Sequence, residues 1–476
     1  MVKKKQKSVS KEKTLFLNTI LFAIGNIGSS IILFLLLPLY TNMLTTEEYG
    51  VINLITTFSN LMLPVFSLQI GDAVLRFGLS NQYKKNEVLK ITISILTIGG
   101  IIAFVCKPLI NLYGTLKPWS GYVCILIIVC MFRSNIAIYI KTIGKNKCYA
   151  FNSILYTFVL AILNIIFLVY LRLGIRGYID AMIIATTISA FFLAIEGNIF
   201  KSLFETKLNV QLMKKMIIFS VPMIFNAISW WINNFSDRFV LNQVMGATAV
   251  GMYSVAAKMP SLVTTATGIF NQAWAISSIN EYDSTRDEKF YSKTFRGYSF
   301  LLVIISSFVI MIIKPFMNIY VGHDFRGAWE YVPFLLIGAI FLSYAEFFAP
   351  IYSGAMKNVS IMITTVVAAI ANIVLNCILI PIIGIHGAVF ATMISYFMVA
   401  FYRILDIRRI ININIEYKKI LINILILLIQ SLMCIFNLFN EIQFILFIMI
   451  CLININEVKE YGEIIKRRFS KINNKL

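Results

Sequence analysis

Apolar runs of about 20 residues, parted by short polar breaks, recur along nearly the whole chain. A helix that crosses a bilayer needs roughly that length of mostly apolar sequence. The pattern therefore predicts spans near residues 15–40, 51–73, 91–106, 120–140, 150–171, 177–199, 216–239, 250–275, 298–315, 331–353, 361–383, 387–405, 420–438 and 442–456. The first follows a basic stretch, as a signal peptide would. Its apolar part is too long for one and runs into Pro38 without a small-residue cleavage pattern, so it is expected to stay as a helix. The seventh span is the anomalous one, because Ser229-Trp230-Trp231-Ile232-Asn233-Asn234-Phe235-Ser236-Asp237-Arg238 puts an acid, a base and two amides where hydrocarbon is expected. A charge at the centre of a spanning helix costs about 2.5–3.5 kcal/mol on insertion scales, so this helix is expected to face a polar interior or a water-filled cavity.

Self-similarity at long period organises these spans. Lys107-Pro108-Leu109-Ile110-Asn111-Leu112-Tyr113 returns as Lys314-Pro315-Phe316-Met317-Asn318-Ile319-Tyr320. Gly174-Ile175-Arg176-Gly177 returns as Gly384-Ile385-His386-Gly387, each expected to form a tight turn, and Gly50-Val51-Ile52-Asn53 aligns more weakly with Gly251-Met252-Tyr253-Ser254. Six spans separate the copies, an even number, which predicts two parallel six-helix repeats about an axis along the membrane normal, with two helices appended. The fold class is thus an all-α integral membrane protein of about 14 spans. Its expected parts are a basic N-terminus (1–14), an N-lobe (15–200), a linker (201–215), a C-lobe (216–405), the appended helices (420–456) and a basic tail (457–476).

Composition agrees, with 59% hydrophobic and 13% charged residues. The net charge of +20 reads mainly as topology. With the N-terminus inside, most bases fall on cytoplasmic segments, among them Lys84, Lys85, Lys207, Lys289, Lys293, Arg403, Arg408 and Arg409. Outside remain only Lys107, Lys117, Arg172, Arg176, Lys314 and Arg326, so both termini are expected in the cytoplasm. Bases scattered over many loops, instead of gathered on one folded face, argue against a nucleic-acid partner and for anionic membrane lipids. The seven cysteines form no Cys-x-x-Cys pair, and His323 and His386 have no partner at zinc-ligand spacing, so neither a disulfide framework nor a metal site is expected.

Candidate chemistry lies within the spans. At helical spacing Asn226, Ser229 or Trp230, Asn233 and Asp237 share a face of the seventh, extended by Asn234 and Arg238. The first span, its repeat mate, carries an uncharged stripe that includes Asn18, Asn26, Ser29 and Ser30. Arg133, Lys258 and Glu346 are further intramembrane charges. Against each stands an ordinary reading: amides and hydroxyls glue membrane helices together, Lys258 can snorkel to an interface, and Glu346 can partner a base. Three intramembrane bases against two acids favour an anionic substrate group such as a phosphate or pyrophosphate. Asp237 or Glu346 is a candidate site for a coupling ion, H+ or Na+, although the sequence holds no coordination pattern for one and calls for no cofactor.

Leu37-Pro38-Leu39-Tyr40-Thr41, followed by Leu44-Thr45-Thr46-Glu47-Glu48-Tyr49-Gly50, resembles the first-hairpin motif of polysaccharide-repeat flippases. They belong to the superfamily that also holds multidrug exporters and lipid II flippases. Trp230-Trp231-Ile232 with Asp237-Arg238, then Val250-Gly251-Met252-Tyr253-Ser254 with Lys258, is similar to that family's seventh and eighth spans. Gly322 through Pro333 resembles its tenth-helix entry. The resemblance implies fourteen helices in two lobes and the flipping of an undecaprenyl-pyrophosphate-linked oligosaccharide between leaflets of a bacterial cytoplasmic membrane. Polysaccharide polymerase and glycosyltransferases would be its working partners. Trp230, Trp231 and Trp274 are candidates to stack on sugar, with core packing as the commoner role of such residues. A lipid II flippase shares the plan. A cation-coupled drug exporter is expected to carry an acid in its first lobe, and the first span has none. A polymerase or ligase needs a substantial external loop with catalytic residues, which the short external breaks do not supply.

Overall fold

The computed structural model describes residues 28, 30–80, 82–284, 286–355, 357–436 and 440–459, and every regular element among them is helical. Ten of these helices are long and apolar enough to cross a bilayer, with Ser30–Met43, Ala247–Ala256 and Glu441–Ile453 as shorter apolar helices. The chain is a multi-pass membrane protein. Its contacts group into two compact units, Met1–Met252 and Tyr253–Leu476.

Unit 1 holds α1 (Leu37–Met43), α2 (Thr46–Phe66), α3 (Ile70–Gly78), α4 (Lys85–Val105), α5 (Ser120–Thr142), α6 (Asn146–Asn164), α7 (Gly174–Glu196), α8 (Ile199–Glu205) and α9 (Val210–Met245). The Leu44–Gly50 motif has a local purpose. Thr45 Oγ1 accepts a hydrogen bond from the Glu48 amide (3.2 Å) while the Thr45 amide donates to Glu48 Oε2 (2.9 Å), a reciprocal cap that starts α2 immediately after α1. One core joins α3, α4, α5, α7 and α9 through Val74, Leu89, Met131, Tyr139, Leu193 and Met216. On α4, Ile98, Ile101, Ile102, Phe104 and Val105 stay exposed, as lipid-facing residues do. α9 packs against α2 and α3. The helix that opens the second half of the sequence repeat is therefore built into the same contact unit as the first half.

Next come α10 (Ala247–Ala256) and α11 (Lys258–Ser284), which divide the eighth expected span. Pro260 sits in the first turn of α11, where a missing N–H is tolerated, and its ring opposes continuation from α10. Unit 2 continues with α12 (Glu288–Tyr320), α13 (Val332–Gly354), α14 (Asn358–Ile383), α15 (Ile385–Asp406), α16 (Tyr417–Ile435) and α17 (Asn440–Ile453). α12 begins well before the expected span at 298, because its polar first turns are helical too and the apolar pattern marks only the lipid-embedded part. α13 is the central helix, packed on α11, α12, α15 and α16 and covered on nearly every side. Amides tie down the last two helices: Ser307 Oγ donates to Gln430 Oε1 (2.8 Å), Gln430 Nε2 donates to the Ser307 carbonyl (3.1 Å), and Asn454 Nδ2 donates to Asn423 Oδ1 (3.1 Å).

Two repeat-related features are visible locally. Gly174 and Gly384 both have positive φ, +56° and +61°, and each starts a spanning helix. Gly50 and Gly251 face one another. A Cβ on Gly50 would overlap the Ala247 carbonyl oxygen, and one on Gly251 would overlap that of Thr46. Thr46 and Ala247 occupy matching places in the two copies, so α2 and α10 cross with each glycine against its mate's helix, in the reciprocal manner of a two-fold contact.

Candidate functional site

The polar residues of the spans form separate clusters within each unit. In unit 1, α9 carries Ser236 and Asp237 buried, at 7% and 4% exposure, with Arg238 half-buried beside them. The Arg238 guanidinium and the buried Tyr49 phenol of α2 are electrostatic neighbours. Aromatic contacts hold this stretch in place: Phe235 lies 6.1 Å from Phe58 and 5.4 Å from Phe239, and Phe239 stacks on Tyr113 at 5.3 Å. One turn on, Asn242 Nδ2 donates to Tyr113 Oη (2.7 Å) and Thr115 Oγ1 (2.9 Å). The Lys107–Tyr113 repeat segment thus serves as a brace for the end of α9. The side chains of Asn226, Ser229, Trp230, Trp231, Asn233 and Asn234 lie outside the described residues, as do Asn18, Asn26 and Ser29.

Arg133 is placed elsewhere. Its Nε donates to Ser189 Oγ (2.7 Å), its guanidinium sits 3.9 Å from the Tyr156 ring centroid, and Ser189 Oγ donates in turn to Asn152 Oδ1 (2.9 Å). α5, α6 and α7 therefore meet around this arginine, which has protein partners for both its polar edge and its face.

In unit 2, Lys258 is the exposed first residue of α11. Glu346, half-buried on α13, accepts from Asn271 Nδ2 of α11 (2.9 Å). Trp274, one turn along α11, is a core residue: its Nε1 donates to the Phe347 carbonyl (2.8 Å) and its ring stacks on Phe347 at 4.5 Å, so sugar cannot reach it.

A residue that sequence reasoning assigned to the cytoplasmic loops belongs to this interior. Arg403 of α15 is buried, at 4% exposure. Its Nη1 donates to the Ala345 carbonyl (2.8 Å), its Nη2 to Thr364 Oγ1 (3.0 Å), Thr365 Oγ1 (3.1 Å) and the Ile361 carbonyl (3.2 Å), and its Nε to Thr364 Oγ1 (3.2 Å). It also lies close enough to Glu346 for the two charges to act on one another. The neighbouring Arg408 and Arg409 made it look interfacial in sequence, and only the threonines of α14 reveal its place. A further amide cluster was also missed, in which Asn376 Nδ2 donates to Asn372 Oδ1 (3.1 Å) on α14, within reach of Thr392 and Ser395 on α15.

Comparison with known proteins adds the family. The family model described as "Polysaccharide biosynthesis protein" matches residues 15–274. A Haemophilus influenzae protein of the Lsg locus is 24% identical over 409 residues, covering 80% of this chain and 97% of its own. Among solved structures, the lipid II flippase MurJ in an inward closed conformation aligns with TM-score 0.70 at 16% identity, over 94% of this chain and 99% of that one. An outward-facing multidrug resistance MATE family transporter of the MOP superfamily aligns with TM-score 0.58 at 14% identity, over 82% of this chain and 95% of its own. At such identities the structural likenesses establish a shared fold.

Proposed function

We propose, for a chain that belongs to the polysaccharide biosynthesis protein family, that it flips a polyprenyl-pyrophosphate-linked oligosaccharide from the inner to the outer leaflet of a bacterial cytoplasmic membrane by alternating access. The observation that carries this reading is the Asp237–Arg238 pair, whose acid is buried within the long helix α9. Burying an acid is costly, and charges within membrane segments commonly mark the path of a polar cargo. The fold shared with a lipid II flippase and with MOP-superfamily transporters supports a carrier of this kind.

In this mechanism Arg238 handles the pyrophosphate through charge-assisted hydrogen bonds and Asp237 orients it, with Lys258 a separate candidate for a phosphate contact. Arg133, with Ser189 and Tyr156 already engaged, serves the first unit chiefly as a brace. Asn26, Trp230, Asn233 and Asn234 remain candidates for the glycan, and Glu346 with Asn271 is the candidate for a coupling ion. The prenyl chain stays in lipid. The termini and most basic loops face the cytoplasm. A lipid II flippase is the second reading, favoured by the MurJ likeness.

The test is complementation of a strain lacking its own repeat-unit flippase. Loss of one charged hydrogen bond is worth about 1.5–3 kcal/mol, so Arg238→Ala and Lys258→Ala are each expected to lower surface polysaccharide by roughly ten-fold or more at unchanged protein level. Wild-type polysaccharide in both variants would end the charge-handling mechanism. Rescue of a strain depleted of its lipid II flippase, with no rescue of the polysaccharide mutant, would move the assignment to the second reading.

A further inference from the structure

Where α12 passes from its charged first turns into its apolar run, unit 2 opens a pocket of about 740 Å³. Lys289, Lys293 and Arg296 recur along α12 at i, i+4 and i+7 and so share one face of the helix, and Arg408 completes the basic wall. The two arginines are held in position. Arg296 Nη2 lies 2.8 Å from Glu416, and the Arg408 guanidinium sits 4.5 Å from the Tyr417 ring centroid. The acids lining the pocket are Glu457, buried against Lys419 at 2.6 Å, and Glu288, beside Lys289, Lys293, Arg408 and the Glu416-paired Arg296.

The remaining wall is built by a sequence pattern that the flippase reading does not use. Ile411, Ile413 and Ile415 are buried in an extended segment, so Asn412 and Asn414, which alternate with them, project outward and line the pocket. The Asn414 amide donates to Ser292 Oγ (2.9 Å) and fixes the segment to α12. The result is a concave site with guanidinium forks, ammonium groups and amide donors, the set that recognises a phosphate.

Unit 1 has a pocket at the corresponding place, about 840 Å³, between Lys84 and Lys85 at the start of α4 and the segment Thr206 to Asn209. The Lys107/Lys314 match pairs α4 with α12, so the location was duplicated with the fold. There, however, Lys85 Nζ donates to the Thr142 carbonyl (2.8 Å) and Asn209 Nδ2 donates to Glu87 (2.9 Å), so the donors serve the protein itself. The unit 2 copy is the more basic and the better furnished.

We propose that the unit 2 pocket binds the phosphate of an anionic membrane-lipid headgroup. A free phosphate shares the same chemistry, but the position favours a lipid. The pocket lies where the charged first turns of α12 give way to its apolar run, the level at which lipid headgroups sit.

The test uses the full-length protein purified in a neutral detergent, with thermal unfolding followed during titration with phosphatidylglycerol, phosphatidylcholine or inorganic phosphate. Phosphatidylglycerol is expected to raise the melting temperature in a saturable way, and phosphatidylcholine is not. Two basic residues near a membrane surface contribute about 1 kcal/mol each, so Lys289→Gln/Lys293→Gln should raise the half-saturating lipid concentration by roughly thirty-fold. The exposed pair Lys147→Gln/Lys357→Gln removes the same charge elsewhere and should leave the titration unchanged. An unaltered titration in the pocket variant, or an equal loss in the control, overturns the proposal. An equal response to inorganic phosphate at the same concentration overturns the lipid source. A pocket variant that melts early without lipid is replaced by Arg408→Gln alone, for which about a five-fold weakening is expected and no weakening counts against the site.

Discussion

Gly50→Ala and Gly251→Ala should each destabilise the protein by about 3 kcal/mol, at the upper end of what overpacking usually costs. The reason is the identity of the obstructing atoms. The added methyl at either position meets a main-chain carbonyl, that of Ala247 or of Thr46, and a helix backbone cannot rotate aside as a side chain does. The helices must separate instead, which loosens the cap formed by Thr45 and Glu48 at the start of α2. Because the two glycines sit in the same crossing, the space opened for one methyl admits the other. The double variant is expected to fall well short of the sum of the singles, as coupled neighbours do. Thermal unfolding of the four proteins in one detergent decides this. Additive losses would mean that the crossing is not shared, and unchanged melting temperatures in both singles would mean that the backbones do not meet there.

Arg403→Leu is the second large effect. It strips the donors from the Ala345 and Ile361 carbonyls and from both threonines of α14, and it removes a positive charge that acts on Glu346. Breaking a buried charge arrangement from one side typically costs about 3–5 kcal/mol. Arg403→Lys should recover little, since one ammonium cannot reproduce a planar fork that serves acceptors on two helices. Arg403→Leu combined with Glu346→Gln should be more stable than Arg403→Leu alone, because the second change removes the carboxylate on which that charge acted. If the double variant is the less stable of the two, Glu346 does not depend on Arg403 and its role is set by Asn271 alone.

Much of this architecture could be read from the chain. Length of apolar run and placement of polar breaks marked the ten long apolar helices of the described residues, since both follow from the bilayer's thickness. The glycine turns at Gly174 and Gly384 were visible because a left-handed residue before a helix leaves a mark in sequence. What escaped were facts carried by partners remote in sequence. Arg403 next to Arg408 and Arg409 looks like one more loop base, and nothing local says that Thr364 and Thr365 wait opposite it. Arg133 stands out in sequence because its span is apolar, and its contacts with Tyr156 and Ser189 from two other helices leave no local mark. Trp274 looked available for sugar until Phe347 covered it. The break between α10 and α11 could have been anticipated from Pro260, a signal outweighed by the unbroken apolar character on both sides.

The placement of α9 bears on how the chain can be divided. By sequence the natural cut falls in the linker just before Val210, between the two copies of the repeat. By packing that cut removes from the first fragment a helix whose Met216 completes its core and whose Asn242 and Phe239 secure the segment around Tyr113. A first fragment severed there is expected to be unstable without the second, although the cut follows the border expected from the sequence repeat. A split placed after α10 should give fragments that survive separately for longer. The border expected from the sequence repeat and the border of the contact unit thus differ, and coexpression of differently cut halves measures the distance between them.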